Sequence, residues 1–243
     1  MRTLFFLLLL AGASTGSYGQ VIISLLLGDN LNSGKVEFGL DGGINYCWQT
    51  GVQYDKALPT FNLGFYFDIK TKHPMWLIHT GVIVKSNMGA AGLPVYPLNN
   101  PDLDNSFAAG SVERSLAYFN FPIMIKRKFN NHFFAEAGPM LGLLYAAHDE
   151  FSADVNGEPL TYRVDIRDAY RTLDAGLCAG IGYRLMGGNG MNIGIRGYQG
   201  LMDILKTNPG ESVTNQSLYF TVGIPIGAGK AREREAKKQA EGK

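Results

Sequence analysis

The chain has almost no cysteine, and Cys47 and Cys178 are its only two. They stand too far apart for a compact metal or redox motif, whose ligands are spaced a few residues from one another. After Gly19 no uninterrupted apolar run of helical length occurs, although 46% of the residues are hydrophobic. A helix needs about 20 such residues to cross a bilayer, so α-helical spans are excluded. A chain this apolar does not read as disordered either. Charge of neither sign dominates, since 22 Lys and Arg against 21 Asp and Glu leave a net charge of +1. A nucleic-acid binder would carry a strongly basic face, and that class drops out.

The first residues have the layout of a secretory signal: Met1 and Arg2, an apolar run from Leu4 to Leu10, then small residues to Gly19 with cleavage expected before Gln20. Residues 1–19 are therefore read as a signal peptide and set apart from the fold. The remainder suffices for one β-domain of ordinary size. Residues 20–34 are read as a periplasmic N-terminal segment, residues 35–227 as the β-domain and residues 228–243 as a charged periplasmic tail. Val21 to Leu27 within the first of these is apolar and fits a short strand or a cap. Thirty-one glycines and an aromatic content of 12% suit a tightly curved sheet with aromatics at membrane interfaces.

Successive side chains of a strand point to opposite faces, and eight stretches obey that period. In the first, Val36, Phe38, Leu40, Gly42, Ile44, Tyr46 and Trp48 oppose Glu37, Gly39, Asp41, Gly43, Asn45 and Cys47. In the second, Phe61, Leu63, Phe65, Phe67 and Ile69 oppose Asn62, Gly64, Tyr66 and Asp68. The third (76–85) sets Lys85 and His79 on its polar face; the fourth (117–126) sets Asn120 and Lys126 there, with Pro122 expected to mark a bulge or bend. The fifth (132–145) carries Glu136, the sixth (172–184) Asp174, Cys178 and Arg184, the seventh (191–198) Arg196 and the eighth (217–226) Tyr219 on the same side. The apolar faces hold no Asp, Glu, Lys or Arg. No soluble core is lined by such polar sets, whereas a closed sheet with lipid outside and a polar lumen requires them. The fold expected is all-β, an eight-stranded antiparallel up-and-down transmembrane β-barrel. Cys47 and Cys178, on strands that are not neighbours, are expected to be free buried thiols, a disulfide being the alternative.

Short links at 70–75, 127–131 and 185–190 alternate with long ones at 49–60, 87–111, 146–171 and 199–216. Barrels of this kind keep short turns in the periplasm, which puts both termini there. Outward aromatics gather at the strand ends: Trp76, Phe133 and Tyr183 beside short turns, Tyr46, Trp48, Phe61 and Tyr145 beside long loops, as two interfacial girdles. Asn156-Gly157 is a hairpin signal, so the fifth and sixth strands are expected to continue above the membrane as a ribbon. The segment from Asn87 to Ser111 is expected to be a mobile loop.

The run from Phe119 to Phe129 resembles the hallmark strand of the PorT-like outer membrane β-barrel domain family, a Bacteroidetes-type porin family, in which aromatics lead into Pro, aliphatics and Lys. Ala135 to Gly142 resembles the family's next strand, with Glu136, Gly138 and Gly142 on matching positions, and Asp174 to Tyr183 its glycine-rich sixth strand. Asn120 departs from the pattern, because relatives often carry a lumenal Glu there; so does the charged tail, where such barrels frequently end on an aromatic. The resemblance implies an eight-strand barrel in the outer membrane, in a family whose members mostly lack an assigned activity and in a few cases are associated with protein secretion.

The inward list holds Glu37, Asp41, Asp68, Glu136 and Asp174 against Lys85, Lys126, Arg184 and Arg196. Near-balanced charge in a lumen that side chains just fill points to a plug of ion pairs, with Lys126 opposite Glu136 if Phe129 faces Phe133. Inward glycines such as Gly138, Gly142, Gly176, Gly180 and Gly182 make room for Arg196; opening a narrow pore is the alternative. A lipid-modifying enzyme would draw on His148 with Asp149, Glu150 and Ser152, yet residues four apart on an extended chain lie ~13 Å from one another. The acids at 149–168 match no calcium loop and read as a solvated surface. The expectation is an integral outer membrane barrel with a plugged polar lumen and a structural or partner-mediated role in envelope scaffolding, adhesion or secretion. It is not expected to be an enzyme or to carry a metal or cofactor. Its partners would be outer membrane lipid and lipopolysaccharide, and a periplasmic or secretion-complex protein reached through the tail.

Overall fold

The computed structural model describes residues 35–155, 157–185, 190–207, 210 and 212–226. Residues 1–19, read from the sequence as a signal peptide, the segment at 20–34 and the tail at 228–243 lie outside the described residues. Eight strands form a ring: β1 (Val36–Thr50), β2 (Leu58–Lys70), β3 (Trp76–Leu93), β4 (Ser111–Lys128), β5 (Phe133–Val155), β7 (Leu173–Arg184), β8 (Asn192–Gly200) and β9 (Thr214–Pro225). Each is antiparallel to both neighbours, and β1 closes the ring on β9 from Gly39 opposite Pro225 to Thr50 opposite Thr214. A ninth strand, β6 (Glu158–Asp165), stands outside the ring and pairs with β5. A helix of seven residues, α1 (Pro101–Phe107), sits between β3 and β4, with Asn100 capping it by accepting from Asp102 N–H.

Burial is inverted relative to a water-soluble protein. Asn45 is 0% and Asp68 2% exposed, whereas Ile181 is 66% and Leu177 56% exposed. Only lipid outside makes that arrangement favourable. The wall leans on its glycines: Tyr66 lies over Gly39 and Phe134 over Gly182 so closely that a Cβ at either position would collide with the ring. Outside, Phe38 is covered by Phe65 and Phe67, Phe119 stacks on Tyr145 at 4.6 Å, and Phe133 meets Tyr183 edge-on at 5.0 Å. Tyr46, Phe61, Trp76, Phe133 and Tyr145 are exposed on the outer wall, with Trp48 and Tyr183 half-buried.

Register shifts break the period-2 alternation at Ile83–Ser86 and Ala91–Leu93 of β3 and at Tyr145 of β5. One interrupts β3 between Ile83 and Ser86, which both face inward. Lys85 is consequently turned out of the lumen, exposed, with its ammonium 5.9 Å from the Phe61 ring. The expectation that Lys85 lines the lumen is corrected, because the extra residue shifts the phase of every side chain beyond it. The bulge in β5 leaves Tyr145 unpaired between Leu144 opposite Tyr118 and Ala146 opposite Ala117. Pro122 makes no bulge: it stays in register with Met140, and the β3–β4 ladder skips Gly81 and Val82 opposite it.

Beyond the bulges the apolar face points inward again. The segment from Asn87 is no loose loop, because β3 runs on to Leu93 and β4 begins at Ser111. With β5 and β6 they form a raised sheet on which Ala90, Leu93, Phe107, Val112 and Phe151 make a second small core, α1 delivering Phe107. The β5–β6 ribbon turns at Gly157, whose φ of 85° is left-handed and whose N–H donates to Asp154.

If the outer wall is a lipid contact, Leu177→Arg should cost about 2–4 kcal/mol in urea unfolding from phospholipid vesicles. A cost near zero would mean that Leu177 does not face hydrocarbon.

Candidate functional site

The lumen is the densest collection of polar side chains, and the ladder positions them. Antiparallel register sets Asp68 beside His79 on β2 and β3, Lys126 beside Glu136 on β4 and β5, and Glu136 beside Gly180, which faces Arg196 on β8. The glycine leaves space for the guanidinium to cross toward β5. Arg196 Nη2 lies 2.7 Å from Glu136 and Nη1 3.2 Å from Asp41. Lys126 Nζ lies 3.0 Å from Asp68 and 3.8 Å from Glu136, above the Phe134 ring at 4.2 Å. His79 joins the two halves: Nδ1 is 2.7 Å from Asp68 and Nε2 3.4 Å from Arg196. Both contacts are satisfied when Nδ1 carries the proton and Nε2 accepts. The space left among Asp41, His79, Lys126, Asn192 and Arg196 is about 10 Å³, room for one water at most.

Nearer the short turns, Arg184 pairs with Glu37 at 2.7 Å, and Tyr66 donates to Glu37 at 3.3 Å. Lys128 sits among the charges of Arg184, Glu37, Asp68 and Lys126. It restores the number of lumenal bases to four, at a different level from that expected of Lys85, and the alternation that puts Lys126 inside would have found it two residues further on. Nearer the long loops, Asp174 forms no ion pair among the described residues: it accepts from Asn215 at 2.9 Å, and Asn215 also reaches Tyr118 and Gln49. Glu37, Asp41, Asp68, Lys126, Glu136, Arg184 and Arg196 are thus brought together in two adjoining groups, Asp174 lies alone above them, and Lys85 is outside.

Over this polar interior lies an apolar cork. The connections after β6 and β8 fold inward, burying Tyr170, Ile204 and Val213 against Tyr118, Leu144, Tyr198 and Tyr219. Backbone bonds from Arg171 N–H to Ile204 O and from Lys206 N–H to Ala169 O tie the two connections together. Cys47 and Cys178 are free and buried in the same cluster. Above it Arg114 grips the buried Asp149 at 2.7 and 2.9 Å, and Tyr96 donates to the same carboxylate. Burial beside this pair pushes the Tyr170 phenol up to about 12.

The residues around His148 form no catalytic relay among the described residues. Asp149 turns inward to Arg114, Ser152 bonds to Ser111, and Glu150 pairs with Arg163. No cluster of three or more His, Cys, Asp or Glu suited to a metal occurs among the described residues.

Residues 29–206 match the family model of the outer membrane protein beta-barrel domain. Among solved structures, Ail, the attachment invasion locus protein of Yersinia pestis, is similar at 12% identity and TM-score 0.38, covering 80% of this chain and 100% of that one. Neisserial surface protein A (NspA) is similar at 10% identity and TM-score 0.36, covering 79% and 97%. No curated protein matches.

Two outcomes are expected. Arg196→Met strands Asp41 and Glu136 and should destabilise the barrel by about 3–5 kcal/mol in detergent unfolding, while Glu37→Gln, at a half-buried pair, should cost about 1. Adding Asp41→Asn and Glu136→Gln to Arg196→Met should recover part of the loss. On the raised sheet, Glu113 of β4 lies directly opposite Glu150 of β5, and burial followed by that neighbour raises its carboxyl above the usual glutamate range. Its folded pKa is therefore the higher one, and the protonated form favours folding. Wild type should lose stability relative to Glu113→Gln as pH rises from 4.5 upward, in a series of unfolding curves.

Proposed function

The chain belongs to the outer membrane protein β-barrel domain family, and on that premise we propose that it is a non-conducting outer membrane barrel acting through partners at its long-loop end. It lies in the outer membrane. The observation that carries the reading is the double closure of the lumen. The ion-paired layer around Arg196 leaves about 10 Å³ free, and the cork of Tyr170, Ile204 and Val213 lies above it. A pore would need a continuous water-lined passage, whereas here charges compensate one another and apolar side chains fill the mouth. The raised sheet of β3 to β6 and α1 offers partners an ordered surface instead.

In this reading the short turns face the periplasm and the raised sheet the exterior. Residues 1–19 are the secretory signal, and the tail at 228–243 is a periplasmic segment available to an envelope or secretion complex. Within the family the chain is PorT-like, supported by the Phe119 to Phe129 strand and by Glu136, which in this barrel serves as the carboxylate shared by Arg196 and Lys126. Scaffold, adhesion and secretion accessory are the roles compatible with a closed lumen. The assigned role involves no enzyme chemistry.

Purified protein in planar bilayers should give no open-channel steps above baseline at either polarity. Resolvable steps would replace this reading with that of a small pore. Turnover of lipid A or phospholipid that vanishes in His148→Ala would replace it with that of an enzyme.

A further inference from the structure

Among the described residues, one strand has only one neighbour. All eight ring strands are paired on both sides, whereas β6 pairs with β5 alone and its other edge borders no described strand. Resting on the partner-mediated reading and naming its site, we infer that the free edge of β6 is the docking strand for an extended segment of a partner polypeptide.

The direction of each backbone group follows from the ladder. Ile166 N–H donates to Ala147 O at 3.1 Å, continuing the register in which Asp165 faces His148. In an antiparallel pair, alternate residues turn both N–H and C=O toward the same neighbour. Leu160, Tyr162, Val164 and Ile166 therefore serve β5. Pro159, Thr161, Arg163 and Asp165 turn theirs to the open edge, with Pro159 contributing a carbonyl alone. Donors recurring every second residue, about 6.8 Å apart, match an extended peptide backbone. Protein edges are commonly blunted by prolines, charges or a covering segment. Here Pro159 removes one donor at the end of the edge, and the three donors beyond it stay available.

Side chains set the chemistry of the partner. Leu160 and Tyr162 are 37% and 42% exposed, on the face where Tyr162 lies 6.4 Å from the Phe107 ring. A strand added beside β6 with apolar residues at alternate positions would extend that row. On the opposite face Arg163 is neutralised by Glu150 at 3.0 Å, so backbone pairing and apolar contact carry the recognition, not net charge. A second copy of the chain in the same membrane fits poorly. The two-fold axis of an antiparallel β6 pair runs perpendicular to the sheet, in the membrane plane, and would invert one barrel. Parallel pairing about an axis along the strand would put the two Leu160–Tyr162 rows on opposite faces.

The test uses the full-length processed protein in detergent and a fluorescein-labelled octapeptide of alternating Val and Thr, blocked at both ends. Amide hydrogen exchange should be fast at Thr161, Arg163 and Asp165 in the free barrel and slow with the peptide, while Tyr162 and Val164 are protected in both states. Arg163→Pro removes an edge donor without touching the β5 ladder and should weaken the peptide roughly tenfold, against twofold or less for Arg163→Ala. The same peptide N-methylated at every residue should not bind, a comparison that leaves the protein unaltered. Protection of the Thr161 and Arg163 amides without peptide, absence of binding, or equal binding of the methylated peptide would overturn the inference. Channel steps would sink the closed-lumen reading and leave these amide measurements unaffected, so the two failures are distinguishable.

Discussion

Every backbone N–H and C=O in the lipid band must find a partner within the protein, because hydrocarbon offers none and each orphan costs several kcal/mol. The β1–β9 ladder, with Gly39 opposite Pro225 and Thr50 opposite Thr214, is what meets that demand: it turns a sheet with two raw edges into a ring with none. Closure then fixes the chemistry of both surfaces. Outward side chains meet lipid and exclude charge. Inward ones face a space too narrow for much water, so the polar groups that the pleat delivers there must satisfy one another. The Arg196 hub follows from ring closure as directly as the greasy wall does, since a guanidinium can answer two carboxylates on different strands at once.

The bulges at Ile83–Ser86 and at Tyr145 show how one chain serves two solvents. Below them the apolar residues of β3, β4 and β5 point out to lipid. Above them the strands enter water: Phe151 turns inward because Tyr145 shifts the phase of β5, Leu93 after a further register shift at Ala91–Leu93 of β3, while β4 keeps one phase and carries Val112 inward without a bulge. A side-chain period of 2 cannot change phase without an inserted residue, so the bulge belongs where the environment changes. Tyr145, itself the extra residue, stacks on Phe119 at that level. Lys85, expelled from the lumen by the other bulge, lies over Phe61 with its ammonium in the interfacial zone, an arrangement suited to a long charged side chain at a membrane boundary.

Much of the fold was legible in the residues because a charge on the lipid face is expensive, and that expense writes a period into each strand. The eight ring strands, the Lys126–Glu136 pairing and the ribbon turning at Gly157 all follow from alternation and turn chemistry. Three features were not legible. The phase shift at Lys85 leaves no mark in a segment where Val82, Ile83 and Val84 are apolar on both faces. The continuation of β3 through Met88, Gly89, Ala90 and Ala91 uses small residues that suit strand and loop alike. The cork depends on contacts between Tyr170, on the connection after β6, and Ile204 and Val213, on that after β8, which signal nothing individually. Of the lumenal charges, alternation placed those on unbulged strands, and Lys128 was missed only because its strand was ended two residues early.

Asp174 shows why the lumen's charge count matters less than its geometry. With Lys85 outside and Lys128 inside, the balance of acids and bases is unchanged, yet Asp174 pairs with no base among the described residues and relies on Asn215 and Tyr198. Ion pairing in a narrow ring is local: a lysine at the short-turn mouth cannot compensate an acid near the cork, because side chains reach only a few ångströms along the axis. The lower half of the lumen is consequently a tightly cross-linked electrostatic layer joining β1, β2, β3, β4, β5, β7 and β8, while the upper half is held by amides, phenols and apolar packing. A barrel so braced at one level has little freedom to dilate there. Freedom to move is left to the part above the bulges, where the strands leave the ring and β6 pairs, among the described residues, with β5 alone.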